Sequence, residues 1–364
     1  MKKVLIIAGG LQIGGAERVA RDIGWFADPT RFEIHYLVFG ERTGEYEEEL
    51  KEKGCKIVHM PAPGQGHLAF CRELDRLIKQ ERYDVVHSHT MFNSGLSLPV
   101  AKRNNVPVRI AHSHSIRGPG KRSVVKSCYE SCMRRLILSC ATEWVACGQE
   151  AGKWLYGKRS FETRGILIHN GINLEHFAFS PVLRQELRER EGLTDRFVIG
   201  HMGHLAPVKN QAFLLECMPQ ILKRRPDAVL LLMGDGEDGP MLKGLIKKLG
   251  LESSVRLTGN VANVAPWLNA MDVFAFPSLY EGMPLALVEA QANGLPCVIS
   301  DRIPRDVHLT DLVTALPLEE KETWIRRLIS AQRRHSEAYG PVLKVKGLDT
   351  QGMLEKIYRL YEGA

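Results

Sequence analysis

The sequence predicts an α/β protein built from two doubly wound domains, and three observations carry that prediction. Short apolar runs rich in Val, Ile and Leu, each bounded by turn residues, alternate with stretches of helical spacing along the chain. The alternation occurs twice, with the turn signal Asn170-Gly171 between the two series. The chain has 364 residues, 44% of them hydrophobic, which is enough for two cores of ordinary size.

In the first series the predicted strands are Lys3 to Ala8, Glu33 to Val38, Lys56 to His59, Val85 to His87, Val108 to Ser113, Glu143 to Ala146 and Ile166 to His169. Most are apolar without strict alternation, as strands covered on both faces by helices must be, so the sheet is expected to be parallel. Val19, Ala20, Ile23 and Phe26 mark one face of the first helix. The second series gives Phe197 to Met202, Ala228 to Met233, Val255 to Thr258, Val273 to Phe276, Cys297 to Ser300 and a weaker candidate at Leu312 to Leu316. A brief helix is predicted over Pro284 to Asn293, with Pro284 at its first position and Gly294 and Pro296 as its stop. The junction falls near residues 170 to 180, which divides the chain into residues 1–170 and 171–349. A last helical stretch runs from Thr350 to Tyr361.

A quarter of the residues are charged and the formal net charge is +7, as for a soluble globular protein. Lys2 and Lys3 precede an apolar run that stops at Gly9-Gly10, too short for a signal peptide, and no apolar segment reaches the length of a bilayer span. The eight cysteines form no Cys-x-x-Cys pair and no zinc spacing, which fits a reducing, cytoplasmic setting. Charge is concentrated in residues 117–135, where Arg117, Lys121, Arg122, Lys126, Arg134 and Arg135 stand against Glu130 alone. Val124, Val125, Cys128, Tyr129, Cys132 and Met133 interleave at helical spacing. One basic amphipathic helix follows, suited either to an anionic membrane surface or to an ordinary solvated face packed on its own domain. Nucleic acid is not an expected partner, because no binding module or aromatic–basic interleaving accompanies the charge.

The stretch Tyr280-Glu281-Gly282-Met283-Pro284-Leu285-Ala286-Leu287-Val288-Glu289 is the most informative about function. It sets Glu281 in a loop and Glu289 one turn inside a helix, so the two acids suit different parts of one ligand rather than a pair on one face. The N–H groups of Met283, Leu285 and Ala286 at the helix start, with the positive end of its dipole, make a phosphate seat. A second glycine-rich turn, Gly9-Gly10 through Gly14-Gly15-Ala16-Glu17-Arg18, carries the first strand into a helix. Its spacing is not that of a dinucleotide fingerprint, and no ribose-binding acid follows the second strand. In Arg109-Ile-Ala-His-Ser-His-Ser115, alternation points His112 and His114 the same way; with no third ligand apparent, a zinc site is not expected. The second series opens with Gly203-His204 and Lys209 in a strand-to-helix loop, and Gly259-Asn260-Val261 marks another strand end.

The wording from Phe276 to Asp301 resembles the Glu-x7-Glu signature of family-4 retaining glycosyltransferases, and the chain is most similar to bacterial capsular and exopolysaccharide members. That resemblance implies the GT-B fold, two Rossmann-like domains facing across a cleft: residues 1–170 for the acceptor, 171–349 for a nucleotide sugar, and a C-terminal helix, 350–364, packed back on the first domain. It implies that Glu281 contacts the transferred sugar, that Gly282, Met283, Pro284 and Leu285 present backbone to the diphosphate, and that Glu289 bonds the ribose. Gly14 and Gly15 would lie beside acceptor and donor phosphate, His114 near the reaction centre, and Gly259 and Val261 at the nucleotide base. Lys209 would be one cation of a phosphate clamp whose other member is usually Arg; here that position is His204, only partly protonated near neutral pH. The implied activity is transfer of a hexosyl or N-acetylhexosaminyl unit, with retention, from a UDP-sugar to a saccharide or lipid-linked acceptor. No cofactor and no metal are implied, and the enzyme would be cytoplasmic or peripheral at the inner membrane face. The His204 departure leaves a catalytically weakened nucleotide-sugar-binding paralogue as an alternative, and related folds leave an epimerase.

Overall fold

The computed structural model describes residues 1–116, 123–333 and 339–363. The chain forms two compact units, Met1–Gly171 with Thr350–Ala364, and Ile172–Asp349.

In the first unit the chain runs β1 (Lys2–Gly9), α1 (Gly15–Trp25), β2 (Phe32–Phe39), α2 (Glu47–Glu52), β3 (Lys56–Met60), α3 (His67–Glu81), β4 (Val85–Ser88), α4 (Ser94–Arg103), β5 (Val108–Ser113), α5 (Val124–Cys140), β6 (Glu143–Ala146), α6 (Gln149–Tyr156), α7 (Lys158–Arg164) and β7 (Ile166–Leu167). The sheet is parallel throughout, in the order β3-β2-β1-β4-β5-β6-β7. Leu74 and Ile78 of α3, Leu98 of α4, Ile137 of α5 and Tyr156 of α6 bury one face. Val19, Ala20 and Ile23 of α1 bury the other, joined by Met353, Ile357 and Tyr361 from the chain's last helix. Phe26 lies one residue beyond α1 and is exposed, because the helical face ends at Trp25.

The second unit continues with α8 (Pro181–Arg190), β8 (Phe197–Met202), α9 (Gln211–Arg224), β9 (Ala228–Met233), α10 (Gly239–Lys248), β10 (Val255–Gly259), α11 (Ala265–Ala270), β11 (Val273–Phe276), α12 (Leu285–Ala292), β12 (Cys297–Ser300), β13 (Val313–Leu316), α13 (Lys321–Ile329) and α14 (Tyr339–Val345). Its sheet is also parallel, in the order β10-β9-β8-β11-β12-β13. The final helix, α15 (Thr350–Glu362), belongs to the first unit, where the Tyr358 hydroxyl donates to the Ile23 carbonyl at 2.8 Å. In each sheet the strand order reverses beside the first strand of the series, β1 in one and β8 in the other. Such a reversal opens a crevice at the carboxyl ends of the strands.

The basic stretch differs from the sequence reading. Arg117, Lys121 and Arg122 lie outside the described residues. Helix α5 starts at Val124, capped by the Ser123 hydroxyl, which accepts from the Lys126 N–H. Val124 and Val125 are 79% and 78% exposed, and Cys128 and Cys132 are exposed too, so these apolar residues do not pack on the domain. The buried face comes a turn later, at Met133, Ile137 and Cys140. Arg134 is held inside the fold, donating to the Leu155 and Trp154 carbonyls at 2.9 and 2.7 Å, which leaves Lys126 and Arg135 as the exposed cations of this helix. Among the described residues no helix is long and apolar enough to cross a membrane.

Candidate active site

Loops after β8, β9, β10 and β11 converge at the carboxyl edge of the second sheet. Lys209 ends a short 3-10 turn, and Asn210, in the left-handed conformation at φ 54°, redirects the chain into α9. The Leu279 N–H donates to the Val208 carbonyl at 2.8 Å, tying the Lys209 loop to the loop that carries Glu281. Lys209 Nζ is then 2.6 Å from Glu281 Oε1, with the two side chains only 18% and 12% exposed. The ammonium also lies 5.1 Å from the centre of the Phe276 ring, a cation–π contact at the end of β11. A cation and a carboxylate so placed neutralise each other while both remain at the site.

Helix α12 starts at Leu285, one residue later than the sequence suggested. Pro284 has extended backbone, ψ 106°, and serves as the residue before the helix; its carbonyl accepts from the Leu287 and Val288 N–H groups. The Leu285 and Ala286 N–H groups therefore stand ahead of the helical ladder. Met283 and Leu285 are buried, which fixes Gly282 to Leu285 against the core rather than leaving them as a free loop. Glu289 is 4% exposed and stands inside α12. The structure thus brings Lys209, Glu281 and the start of α12 together and places Glu289 one turn into the same helix.

His204 stands apart in character. Its side chain is well exposed and its Nε2 lies 2.8 Å from Glu237 Oε2, itself exposed. The loops beneath it are tightly built: the Gly203 N–H donates to the Met233 carbonyl, the Leu205 N–H to Asp235, and the Gly234 N–H to the Gly259 carbonyl, at 3.0, 2.9 and 2.9 Å. Gly234 has φ 131° and a Cβ there would sit 2.1 Å from the Gly203 carbonyl oxygen, so only glycine fits. Gly259 closes β10 at φ 68°, and Val261 follows in the partly exposed loop.

The sequence reading missed His201. This imidazole is fully buried on β8, stacks on Phe276 with centroids 5.6 Å apart, and bonds the Ala275 carbonyl through Nδ1 at 2.9 Å. Burial draws it down to about 4, against a smaller opposing pull from that carbonyl bond. Its place on β8 between apolar residues disguises it as a strand residue.

In the first unit, Gly14 is the residue before α1, with extended backbone, and Gly15 is the first of the helix. His114 lies just past the end of β5, partly exposed, while His112 is fully buried, so the two part in exposure although their rings stack 4.1 Å apart. Sequence reasoning saw only these two, and the premise that no third histidine was near is corrected. β4 pairs with β5 and carries His87 and His89 into the same cluster. His89 Nδ1 is 2.7 Å from His114 Nε2, and His87 Nε2 is 3.1 Å from His112 Nδ1. Burial draws His114 down to about 4, beside Asn170, whose amide opposes the shift without reaching hydrogen-bond geometry.

Residues 13–176 match the family described as Glycosyltransferase Family 4, and residues 196–330 the one described as Glycosyl transferases group 1. The putative glycosyltransferase EpsF of Bacillus subtilis is 34% identical over 99% of this chain and 97% of its own. The capsular polysaccharide biosynthesis glycosyltransferase CapH of Staphylococcus aureus is 25% identical over 92% of this chain and 93% of its own. Among solved structures, Anabaena Alr3699/HepE in complex with UDP-glucose superposes with a TM-score of 0.83 at 21% identity, and the glycosyltransferase WaaG with 0.76 at 14%, each covering both chains in full. With its two parallel sheets, its convergent strand-end loops and relatives matched from end to end, the chain belongs to glycosyltransferase family 4 and has the GT-B fold.

Proposed function

We propose that this glycosyltransferase moves a sugar from a UDP-sugar to a saccharide or lipid-linked acceptor of the exopolysaccharide type, with retention at the anomeric carbon. The observation that carries the reading is the 2.6 Å pair of Lys209 and Glu281 beside the start of α12. A diphosphate seated on the Gly282 to Leu285 amides takes over Lys209 as its counter-ion, which releases the Glu281 carboxylate to accept from hydroxyls of the transferred sugar. Glu289 binds the ribose hydroxyls, and the backbone around Gly259 and Val261 receives the base. As the bond to the sugar breaks, charge accumulates on the leaving phosphate; Lys209, the α12 N-terminus and His204 stabilise it. Each such donor contributes about 3 kcal/mol of barrier reduction. No metal is assigned to this charge.

No carboxylate in the reading is assigned as a nucleophile on the sugar, so attack comes from the face the diphosphate leaves, and the leaving phosphate takes the acceptor proton. The acceptor is assigned to the first unit, beside Gly14, Gly15 and His114. UDP and a lipid-linked acceptor are favoured by one relative, the Escherichia coli UDP-Gal:alpha-D-GlcNAc-diphosphoundecaprenol alpha-1,3-galactosyltransferase, 33% identical over 63% of this chain and 60% of its own. Nucleotide diphosphate release from UDP-, GDP- and ADP-sugars tests the reading. UDP release is expected, with a loss of 100-fold or more in Glu281→Ala; a fully active variant overturns it.

A second reading is motivated by His204, where an exposed Glu237 carboxylate 2.8 Å away competes with any phosphate for the imidazole. On that reading the protein binds the nucleotide sugar but turns it over feebly. His204→Arg separates the two. A large gain from a low baseline favours a weakened enzyme, and little change favours a working histidine.

A further inference from the structure

The four histidines of the first unit form a cluster that the transfer reaction does not need in full. His87 and His89 come from the end of β4, and His112 and His114 from the end of β5. His87 is 1% exposed, His112 is fully buried and His89 nearly so. Every ring lies within 5.3 Å, centre to centre, of another in the cluster. One nitrogen from each of His87, His89 and His112 can be chosen so that all three lie within 4.8 Å of one another.

Packing three imidazoles out of water calls for partners on six ring nitrogens, and the fold supplies only some. His87 is bonded through Nδ1 to the Tyr361 hydroxyl at 2.7 Å and through Nε2 to His112. Among the described residues, His89 Nε2 and His112 Nε2 are buried with no hydrogen-bond partner. A buried polar atom left in that state costs about 1–3 kcal/mol. A neutral imidazole with a lone pair and no partner is a metal ligand in waiting. Among the described residues no carboxylate or thiol belongs to the group, so the donor set is all nitrogen, which suits zinc, copper or nickel and not magnesium or calcium.

We propose that His87, His89 and His112 bind one divalent ion of the zinc class, with the fourth position open to water or to His114. Tetrahedral zinc at about 2.0–2.1 Å from each nitrogen requires ligand atoms about 3.3 Å apart, so the three nitrogens, now within 4.8 Å of one another, draw together around the ion. With Nδ1 held by Tyr361 of α15, His87 offers Nε2 and exchanges its 3.1 Å contact with His112 for the ion, and the Tyr361 bond is the outer contact that fixes the ring's orientation. The three ligands belong to the first unit, whereas the proposed function assigns the diphosphate to residues of the second. The ion fastens β4, β5 and the last helix together at the acceptor side. The inference rests on the cluster alone and stands or falls independently of the donor reading.

The test uses the full-length protein without a histidine tag, stripped with chelator and dialysed against zinc chloride. One zinc per chain is expected, with a higher midpoint of thermal unfolding than the stripped protein. The cobalt-loaded protein is expected to show the visible absorption of a tetrahedral nitrogen site. His89→Gln and His112→Asn should each weaken zinc binding at least 10-fold, and Tyr361→Phe, which leaves all three ligands in place, about 10-fold. If His112→Asn does not fold, His89→Gln, at the strand's open end, decides alone. Stoichiometry well below one, or binding unchanged in His89→Gln, overturns the proposal.

Discussion

Lys209 and Glu281 are 72 residues apart in the chain and 2.6 Å apart in space, and neither is interchangeable with a neighbour of like charge. On the proposed function, Lys209→Ala removes the counter-ion of the diphosphate and leaves Glu281 facing it, so a fall of about 100- to 1,000-fold in turnover is expected, measured as UDP release at saturating donor. Lys209→Arg should recover only part of it, because a planar guanidinium places its charge differently from the compact ammonium that meets Glu281 Oε1 at 2.6 Å. The residues of this loop were readable because motif wording fixes identity and order. His201 was not, and it makes a distinct prediction. Its ring titrates at about 6.5 unfolded but at about 4 folded. Between those values the unfolded chain holds the extra proton, so His201 lowers stability as pH falls through that window and has no effect above it. His201→Gln should flatten the pH dependence of denaturant stability between pH 4 and 6.5 by up to about 1.4 kcal/mol per pH unit.

At the scale of elements, α12 is held by one residue that no pattern advertises. Gln291 Nε2 donates to the Leu287 and Val307 carbonyls, both at 3.1 Å, and its Oε1 accepts from the Leu309 and Thr310 N–H groups and the Thr310 hydroxyl. Gln291 is fully buried, as are its bonds to Leu287, Val307 and Leu309, so Gln291→Ala strands several groups at once. A loss of about 2–4 kcal/mol is expected in urea unfolding, with weaker donor binding if the start of this helix seats the diphosphate as proposed. The strands were legible almost residue by residue, since a doubly covered parallel sheet leaves continuous apolar runs that nothing else imitates. Helix α5 was not. Its early valines look like a buried face by spacing, yet the helix begins too near them for the domain to cover them, and Arg134 turns inward to cap the carbonyls that end α6. The histidine cluster escaped for a related reason: His87 and His112 are 25 residues apart, and only the pairing of β4 with β5 makes them neighbours.

For the molecule as a whole, the same winding is used twice, and each unit places its glycine-bearing loop and its polar side chains where its own strand order reverses. The chain passes between the units twice, at Gly171–Ile172 and Asp349–Thr350, and a parallel bridge pairs Ile172 with Asp349 inside the second unit. Removing α15 should therefore weaken the first unit selectively. In a chain ended after Asp349, the first unit is expected to unfold at lower urea while the second keeps its midpoint, followed by tryptophan fluorescence of single-tryptophan variants retaining Trp144 or Trp324, each buried in its own unit.

The return of α15 also sets an order of events during synthesis. The pocket that Met353, Ile357 and Tyr361 fill is lined by residues from β1, α1 and β2, which are made before the whole of the second unit. The intervening unit occupies the ribosome for about 10–40 s at ordinary elongation rates. Throughout that interval the nascent first unit carries an open apolar trough, a surface prone to misassociation until α15 arrives to cover it.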